Sequence, residues 1–422
     1  MKKRVHWLVI FLLFIATGLS FLDRQVLSLA IIKIQEEFKI TDVQYGMINT
    51  SFLISYAIMF TLGGWLIDRV GGKLGLAISV GIWSVANSLH AVMTSFSQLL
   101  AFRFFLGMGE GGCFPGAAWT VYRWFDKEER ALANGIAIGG SAIGAVVAPP
   151  LTIWLSAHYG WRGGFLIPGL IGIIWVIVWL FIPWKNENTA LETPIKSDPK
   201  ASVSFLTLLK LRVTWVFIVI RFLLDPVFYF MMFWIPKYLS SVRNVSFEQI
   251  GQLFWIPFLA LGIANVIGGW FSGQLIAQNY SVNRARKTVM GIAAFLTLAA
   301  PAIEWVSSVN IAVALMAVFM FAHGFWITNY ITSISDMFGQ KATSTVVGLS
   351  GTAGAVSGLL LNPLMGVIIQ QYSYRPLWIA SGLLYPLAFV LLIVLIPNIK
   401  ALVLTDNQEF TTPRTKKVLT RS

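Results

Sequence analysis

Charge is scarce in this sequence. Asp, Glu, Lys and Arg make up 12% of its 422 residues, where a soluble chain carries about 25%. Cysteine is almost missing: Cys113 stands alone, which excludes an intramolecular disulfide and a cysteine-built metal cluster. His6, His90, His158 and His323 show no metal-ligand spacing. The sequence carries no nucleophile–base pattern, so it points to no catalytic residue, no metal and no cofactor. An enzyme is not the expectation.

Apolar residues fill the deficit. They make up 57% of the chain, and the mean hydropathy is +0.74. Twelve mostly apolar stretches lie at 6–32, 46–67, 74–94, 97–123, 131–157, 163–183, 212–237, 248–276, 287–306, 309–335, 342–371 and 376–397. Each is long enough to cross a ~30 Å hydrocarbon core as a helix. The expectation is an all-α membrane protein with 12 transmembrane helices, embedded in a lipid bilayer. Lys2, Lys3 and Arg4 precede the first stretch as in a signal peptide. No short apolar region ending in a cleavage site follows, so the stretch reads as a retained helix.

The net charge of +13 raises nucleic acid as a partner, and the placement of the charges decides against it. With the N-terminus in the cytoplasm, 22 of the 31 Lys and Arg fall in cytoplasmic segments, 6 in outer loops and 3 (Arg24, Arg103 and Arg221) inside spans. That asymmetry follows the positive-inside rule. It puts both termini in the cytoplasm and accounts for the basic excess without nucleic acid. With no transit peptide, the expected location is a bacterial inner membrane, and nothing calls for more than a monomer.

The chain also repeats itself. "GWLIDRVGGK" after the second stretch is echoed by "GWFSGQLIAQ" after the eighth. Gly135, Pro150, Tyr159 and Arg162 recur as Gly348, Pro363, Tyr372 and Arg375, each 213 residues later. The expected domains are therefore six-helix bundles at 1–183 and 212–397, a polar cytoplasmic linker at 184–211 and a cytoplasmic tail at 398–422. Two parallel repeats with a site between them near the midplane form the plan of an alternating-access transporter.

Specific motifs carry a resemblance. "GGWLIDRVGGK" (63–73) resembles the signature loop between helices 2 and 3 of the major facilitator superfamily, with Asp68 and Arg69 placed to bridge neighbouring helix ends. Gly72 departs from that pattern, which often has a base there. "FLDRQVLS" (21–28), "RFFLGMGEGGCFPG" (103–116), "WFDKEERALANG" (124–135) and "AHGFWITNYITSISDMF" (322–338) resemble the anion:cation symporter branch. "RFLLDPVFYFMMFWIPKYL" (221–239) and "SVNRARK" (281–287) are similar to its hexuronate transporters. The GxGxxG in "GMGEGG" lies inside a membrane stretch without a βαβ unit, so its glycines serve helix packing and not a nucleotide.

Six ionisable groups lie well inside spans: Asp23, Arg24, Arg103, Glu110, Arg221 and Asp225. Each costs about 2.5–3.5 kcal/mol at that depth on insertion scales, so each needs a partner or a task. Arg103 and Glu110, seven apart, project from nearly one helix face. Asp23 and Arg24 point about 100° apart, so one can face a cavity while the other faces packed neighbours. Arg221 and Asp225, four apart, suit a local ion pair or gate. A guanidinium is never deprotonated, and its planar fork suits a carboxylate. Burial favours a neutral acid and a nearby arginine favours the carboxylate, a balance that conformation can change.

The resemblance implies roles for these groups. Arg24 would contact the substrate's carboxylate, Asp23 and Glu110 would take up protons, Arg103 would tune Glu110, and Tyr56 would reach the substrate. Phe21 replaces a tyrosine of some sugar-acid carriers, which leaves sugar hydroxyls to other groups: Ser141, Trp326, Asn329, Thr332 and Asn362. The implied function is import of a small organic anion, a hexuronate, with protons. A monoanion entering with two protons carries one net charge, which gains about 2.3 kcal/mol per 100 mV. The alternatives are an aldonate, an aldarate or an aromatic acid on the same mechanism, and a proton-coupled drug exporter, against which Arg24 and Arg103 argue.

Overall fold

In a computed structural model of the chain, residues 2–125, 127–184 and 205–402 are described. Most of the expected linker and tail lies outside them. Among the described residues the chain is helical and has no strand. It forms twelve spans: span 1 (Lys2–Phe38), span 2 (Asp42–Val70), span 3 (Gly72–Leu89), span 4 (Phe96–Glu110 and Cys113–Trp124), span 5 (127–159), span 6 (161–181), span 7 (Arg212–Phe233 and Ile235–Ser241), span 8 (Phe247–Leu253 and Trp255–Ala277), span 9 (Val282–Thr297 and Ala302–Trp305), span 10 (309–338), span 11 (340–371) and span 12 (Arg375–Leu395). Spans 5 and 6, and spans 10 and 11, run on without a loop. Gly160 (φ 69°) and Gly339 (φ 61°) break the helical path between them, in a left-handed region that only glycine enters freely.

Span 4 differs from the uninterrupted helix expected over 97–123. It steps at Gly111–Gly112, beside a close approach to span 3 where a side chain at Gly109 or Gly112 would run into Trp83 and Ser79. Close approach of the two helices is bought with small residues.

The two bundles, spans 1–6 and 7–12, repeat at the level of hydrogen bonds. Thr41 and Gln44 form a capping box at the start of span 2, and Ser246 and Gln249 form the same box at the start of span 8. These reciprocal bonds satisfy two orphan amides at each helix start. At the other end, Lys73 Nζ donates to the Ile182 carbonyl closing span 6, and Lys287 Nζ donates to the Ile396 and Pro397 carbonyls closing span 12. A lysine there satisfies free carbonyls and complements the negative end of the helix dipole.

Both described ends of the chain lie on one face, where the Leu402 amide donates to the Met337 carbonyl at the end of span 10. On the opposite, far face the bundles are sealed together. Gly46 of span 2 sits against Asn362 and Pro363 of span 11, and its counterpart Gly251 of span 8 against Ile153 of span 5. Tyr45 Oη donates to the Phe233 carbonyl at 2.6 Å, and Thr50 Oγ1 to the Leu359 carbonyl at 3.0 Å. Asp42 at the head of span 2 forms an ion pair with Lys237 of span 7 and also accepts from Gln35 Nε2 at 3.0 Å. Toward the terminal face the seal gives way to open space: a Cβ at Gly348 or Gly351 of span 11 would meet nothing within 4 Å.

The Asp42–Lys237 pair crosses the two bundles with both side chains mostly out of solvent (16% and 14% exposed, respectively), so its loss should loosen the seal. Lys237→Met is expected to raise labelling of a Thr352→Cys reporter by an impermeant thiol reagent applied to the far face. A loss of ~1 kcal/mol corresponds to about a fivefold increase. Cys113 is buried and should not obscure the signal. Unchanged labelling would show that the ion pair adds nothing to closure.

Candidate functional site

Below the seal, halfway through the molecule, lies a cavity of about 220 Å³, the space of about seven liquid waters. Span 1 contributes Phe21 and Arg24, and span 2 contributes Phe52 and Tyr56. From the other bundle, span 7 contributes Arg221, Asp225 and Tyr229, and span 11 contributes Gly351 and Thr352. Tyr229 follows Arg221 and Asp225 at the four-residue interval that keeps side chains on one helix face. That spacing was the available signal for a residue the sequence reading passed over.

Arg24 dominates the first wall. Its Nε donates to Glu110 Oε2 of span 4 at 2.5 Å, with Arg24 11% exposed and Glu110 buried. The guanidinium lies 4.4 Å from the Tyr56 ring centroid and 4.9 Å from that of Phe21, within cation–π range. Arg24 Nη2 is buried without a hydrogen-bond partner. The arginine is thus neutralised from behind and held between aromatic faces, with the Tyr56 side chain also acting on it as a hydrogen-bond partner, while Nη2 itself is unpartnered. Phe21, where a tyrosine hydroxyl is missing, supplies one of those faces.

Asp23 turns the other way. Its Oδ1 accepts from Asn87 Nδ2 of span 3 at 2.8 Å, and its Oδ2 is buried without a partner. Arg103, also buried, reaches the Arg24 carbonyl through Nη2 at 3.4 Å, and its Nε has no partner. Glu110 is therefore engaged by Arg24 from another helix, although Arg103 shares its own helix face. Facing Arg24 across the cavity, Arg221 Nε donates to Asp225 Oδ1 at 2.5 Å within span 7. A side chain at Gly354 of span 11 would overlap the Asp225 carboxylate.

The other expected contacts lie elsewhere. Trp326 is buried edge-on against Tyr385 and Phe389 of span 12. Asn329 Nδ2 donates to the Gly268 carbonyl of span 8 at 3.1 Å. Thr332 and Ser141 donate to carbonyls of their own helices. Asn362 Oδ1 accepts from Trp234 Nε1 at 3.4 Å within the far-face region. Ring packing takes up Trp326, and each of the other four has a local or interhelical hydrogen bond that sequence spacing does not show. Arg69 is exposed in the last turn of span 2, and the Asp68 side chain lies outside the described residues. A Cβ at Gly72 would collide with the Trp119 ring, so the departure from a base there has a steric reason. His323 Nδ1 pairs with the Tyr385 hydroxyl at 2.5 Å, a structural bond between spans 10 and 12.

A family model described as Major Facilitator Superfamily matches residues 13–362. The hexuronate transporter of Escherichia coli (strain K12) is 27% identical over 393 residues, covering 89% of this chain and 90% of that protein. A probable galactarate/D-glucarate transporter of Bacillus subtilis (strain 168) is 25% identical, covering 97% and 95% respectively. Among solved structures, a D-xylose-proton symporter superposes with a TM-score of 0.76 at 13% identity, over 93% of this chain and 98% of that one.

The contact between Gly354 and Asp225 yields a direct test. Gly354→Ala should displace the carboxylate from Arg221 and cost ~1–3 kcal/mol through overpacking, read as a lower thermal unfolding midpoint of detergent-purified protein. Gly348→Ala, in open space, should leave the midpoint unchanged. Equal midpoints for both variants would refute the packing argument.

Proposed function

We propose, from the premise that this chain belongs to the major facilitator superfamily and is a multi-pass membrane transporter and not an enzyme, that it imports a small organic anion together with protons. The cargo we favour is a hexuronate. Both termini lie in the cytoplasm, so the closed far face is the outer one and the cavity opens inward. The setting is a bacterial inner membrane, and a single chain performs the cycle.

The observation that carries this reading is Arg24. It is fixed in a cavity wall, its charge is balanced by Glu110 through Nε alone, and it keeps a buried unpartnered Nη2. A substrate carboxylate is the complement of that arrangement: it meets the terminal nitrogens of the planar fork first and, binding them, draws the guanidinium away from Glu110. When the carboxylate takes Arg24, Glu110 loses its partner in a dry site and takes up a proton. Asp23 is the second carrier, and Arg103 sets the balance between the two acids. Tyr56 presents its ring and hydroxyl along one side of the bound sugar acid. A drug exporter for cations fits less well, since the cavity presents an arginine from each bundle.

A second reading is favoured by Arg221, which is 23% exposed in the facing wall. With one arginine on each side, a dicarboxylate such as an aldarate would engage both bundles at once. In proteoliposomes, labelled galacturonate should outcompete unlabelled galactarate if the cargo is a hexuronate, and the order should reverse if it is an aldarate. Insensitivity to both acids would sink either reading.

Two variants test the roles. Arg24→Lys should lose at least tenfold in substrate affinity, because a point charge does not reproduce the fork; near-normal binding by purified protein would refute the assignment. Glu110→Gln should retain counterflow, which needs no net proton movement, and lose accumulation driven by a pH gradient. Normal pH-driven accumulation would move the coupling role to Asp23 alone.

A further inference from the structure

Asn87 of span 3 is fully buried and hydrogen-bonds with both hydrogens of its amide nitrogen. Nδ2 donates to Asp23 Oδ1 of span 1 at 2.8 Å and to the Phe165 carbonyl of span 6 at 3.0 Å. A backbone carbonyl only accepts, so Phe165 fixes which end of the amide is the nitrogen. The donor aimed at Asp23 is therefore fixed as well. The Phe165 ring also stacks on His90, three residues after Asn87 in the turn that follows span 3, with centroids 4.8 Å apart. Three helices thus hold one amide hydrogen against one carboxylate oxygen.

We propose that Asn87 is a positioning residue for proton exchange at Asp23: it occupies Oδ1, so that the proton enters and leaves at Oδ2. This rests on the reading of Asp23 as a proton carrier. Asp23 Oδ2 is buried without a partner, so it is the oxygen left to take a proton. Protonation there turns the carboxylate into an acid whose Oδ1 still accepts from Asn87, so the amide serves both states without moving. It binds the charged state more tightly, since a hydrogen bond to a carboxylate is stronger than one to a neutral acid. Asn87 therefore lowers proton affinity and eases release.

The charged groups around Asp23 come from several helices. Span 1 supplies Arg24, span 4 supplies Arg103 and Glu110, which act on Asp23 electrostatically, and the turn after span 3 supplies His90. Tyr45 of span 2 faces Arg103. His158 of span 5 and Arg162 of span 6 are engaged at the far end, with the Trp154 carbonyl and Glu37. Among these side chains, Asn87 is the one that hydrogen-bonds Asp23 directly.

The test is the pH profile of labelled galacturonate uptake into proteoliposomes holding the full chain. Asn87→Leu keeps the approximate shape and removes the donor. It should leave counterflow intact and move the midpoint of pH-dependent uptake about one unit toward alkaline pH. An unshifted midpoint with normal counterflow would overturn the proposal. If the Leu variant loses counterflow, Asn87→Ser decides on the same two outcomes, and loss of counterflow in both assigns Asn87 to folding and overturns the positioning role. Asp23→Asn separates the premise from the proposal. If it still accumulates substrate under a pH gradient, Asp23 is no carrier and both fall; if it fails to accumulate while Asn87→Leu keeps the normal profile, the Asn87 role alone falls.

Discussion

A guanidinium cannot shed its proton, so burying Arg24 within the membrane obliges the fold to place negative charge beside it. Glu110 answers from span 4, and the surrounding arrangement follows from that choice. Arg103, two helical turns from Glu110, is left to bond the Arg24 carbonyl. Asp23 cannot join the same face and turns to the amide of Asn87. The Arg24–Glu110 pair ties span 1 to span 4 and leaves the positive end at the cavity. Under the proposed reading, an anion entering that cavity competes with Glu110 for the same arginine.

The two bundles share a scaffold and differ in their charges. Capping boxes at spans 2 and 8, lysines closing spans 6 and 12, and prolines within spans 5 and 11 all recur. The ionisable groups deep inside the spans do not. Spans 1 and 4 hold four of them in bonds that cross between helices, whereas spans 7 and 10 hold Arg221–Asp225 as a pair within one helix and a His323–Tyr385 bond to span 12. A pair within one helix keeps its geometry whatever its neighbours do. A pair across helices can be remade when those helices shift, which makes spans 1 and 4 the suited place for a group that changes partner during a cycle.

Much of this was legible in the sequence, and the remainder was hidden for a definable reason. Twelve apolar runs and a constant 213-residue offset report the fold, because the bilayer permits so few ways to satisfy a backbone. The charged residues were equally visible, since few others stand inside apolar runs. Their partners were not. Helical spacing placed Arg103 beside Glu110, yet span 1 brings Arg24 closer, and only packing decides between helices. The same limit applies to Trp326, Asn329 and Asn362: sequence shows a polar or aromatic group within a span and not the neighbouring carbonyl or ring that engages it. Asn87 escaped notice because one uncharged amide in an apolar run carries no cost large enough to demand an explanation.

The charge balance inside the spans bears on why the proposed import should need protons at all. Arg24, Arg103 and Arg221 face Asp23, Glu110 and Asp225; with all six ionised, the empty interior is neutral. A substrate carboxylate adds one negative charge that no fixed group offsets, and an uncompensated charge in such an interior costs several kcal/mol. One proton on Glu110, released from Arg24 by the substrate, restores neutrality. A second proton on Asp23 gives the loaded carrier one positive charge, which an inside-negative potential draws inward with about 2.3 kcal/mol per 100 mV. The neutral empty carrier then returns without working against that field. Under the proposed reading, coupling needs no separate proton gate, because the loaded protein closes around its cargo at low cost only when the protons are aboard.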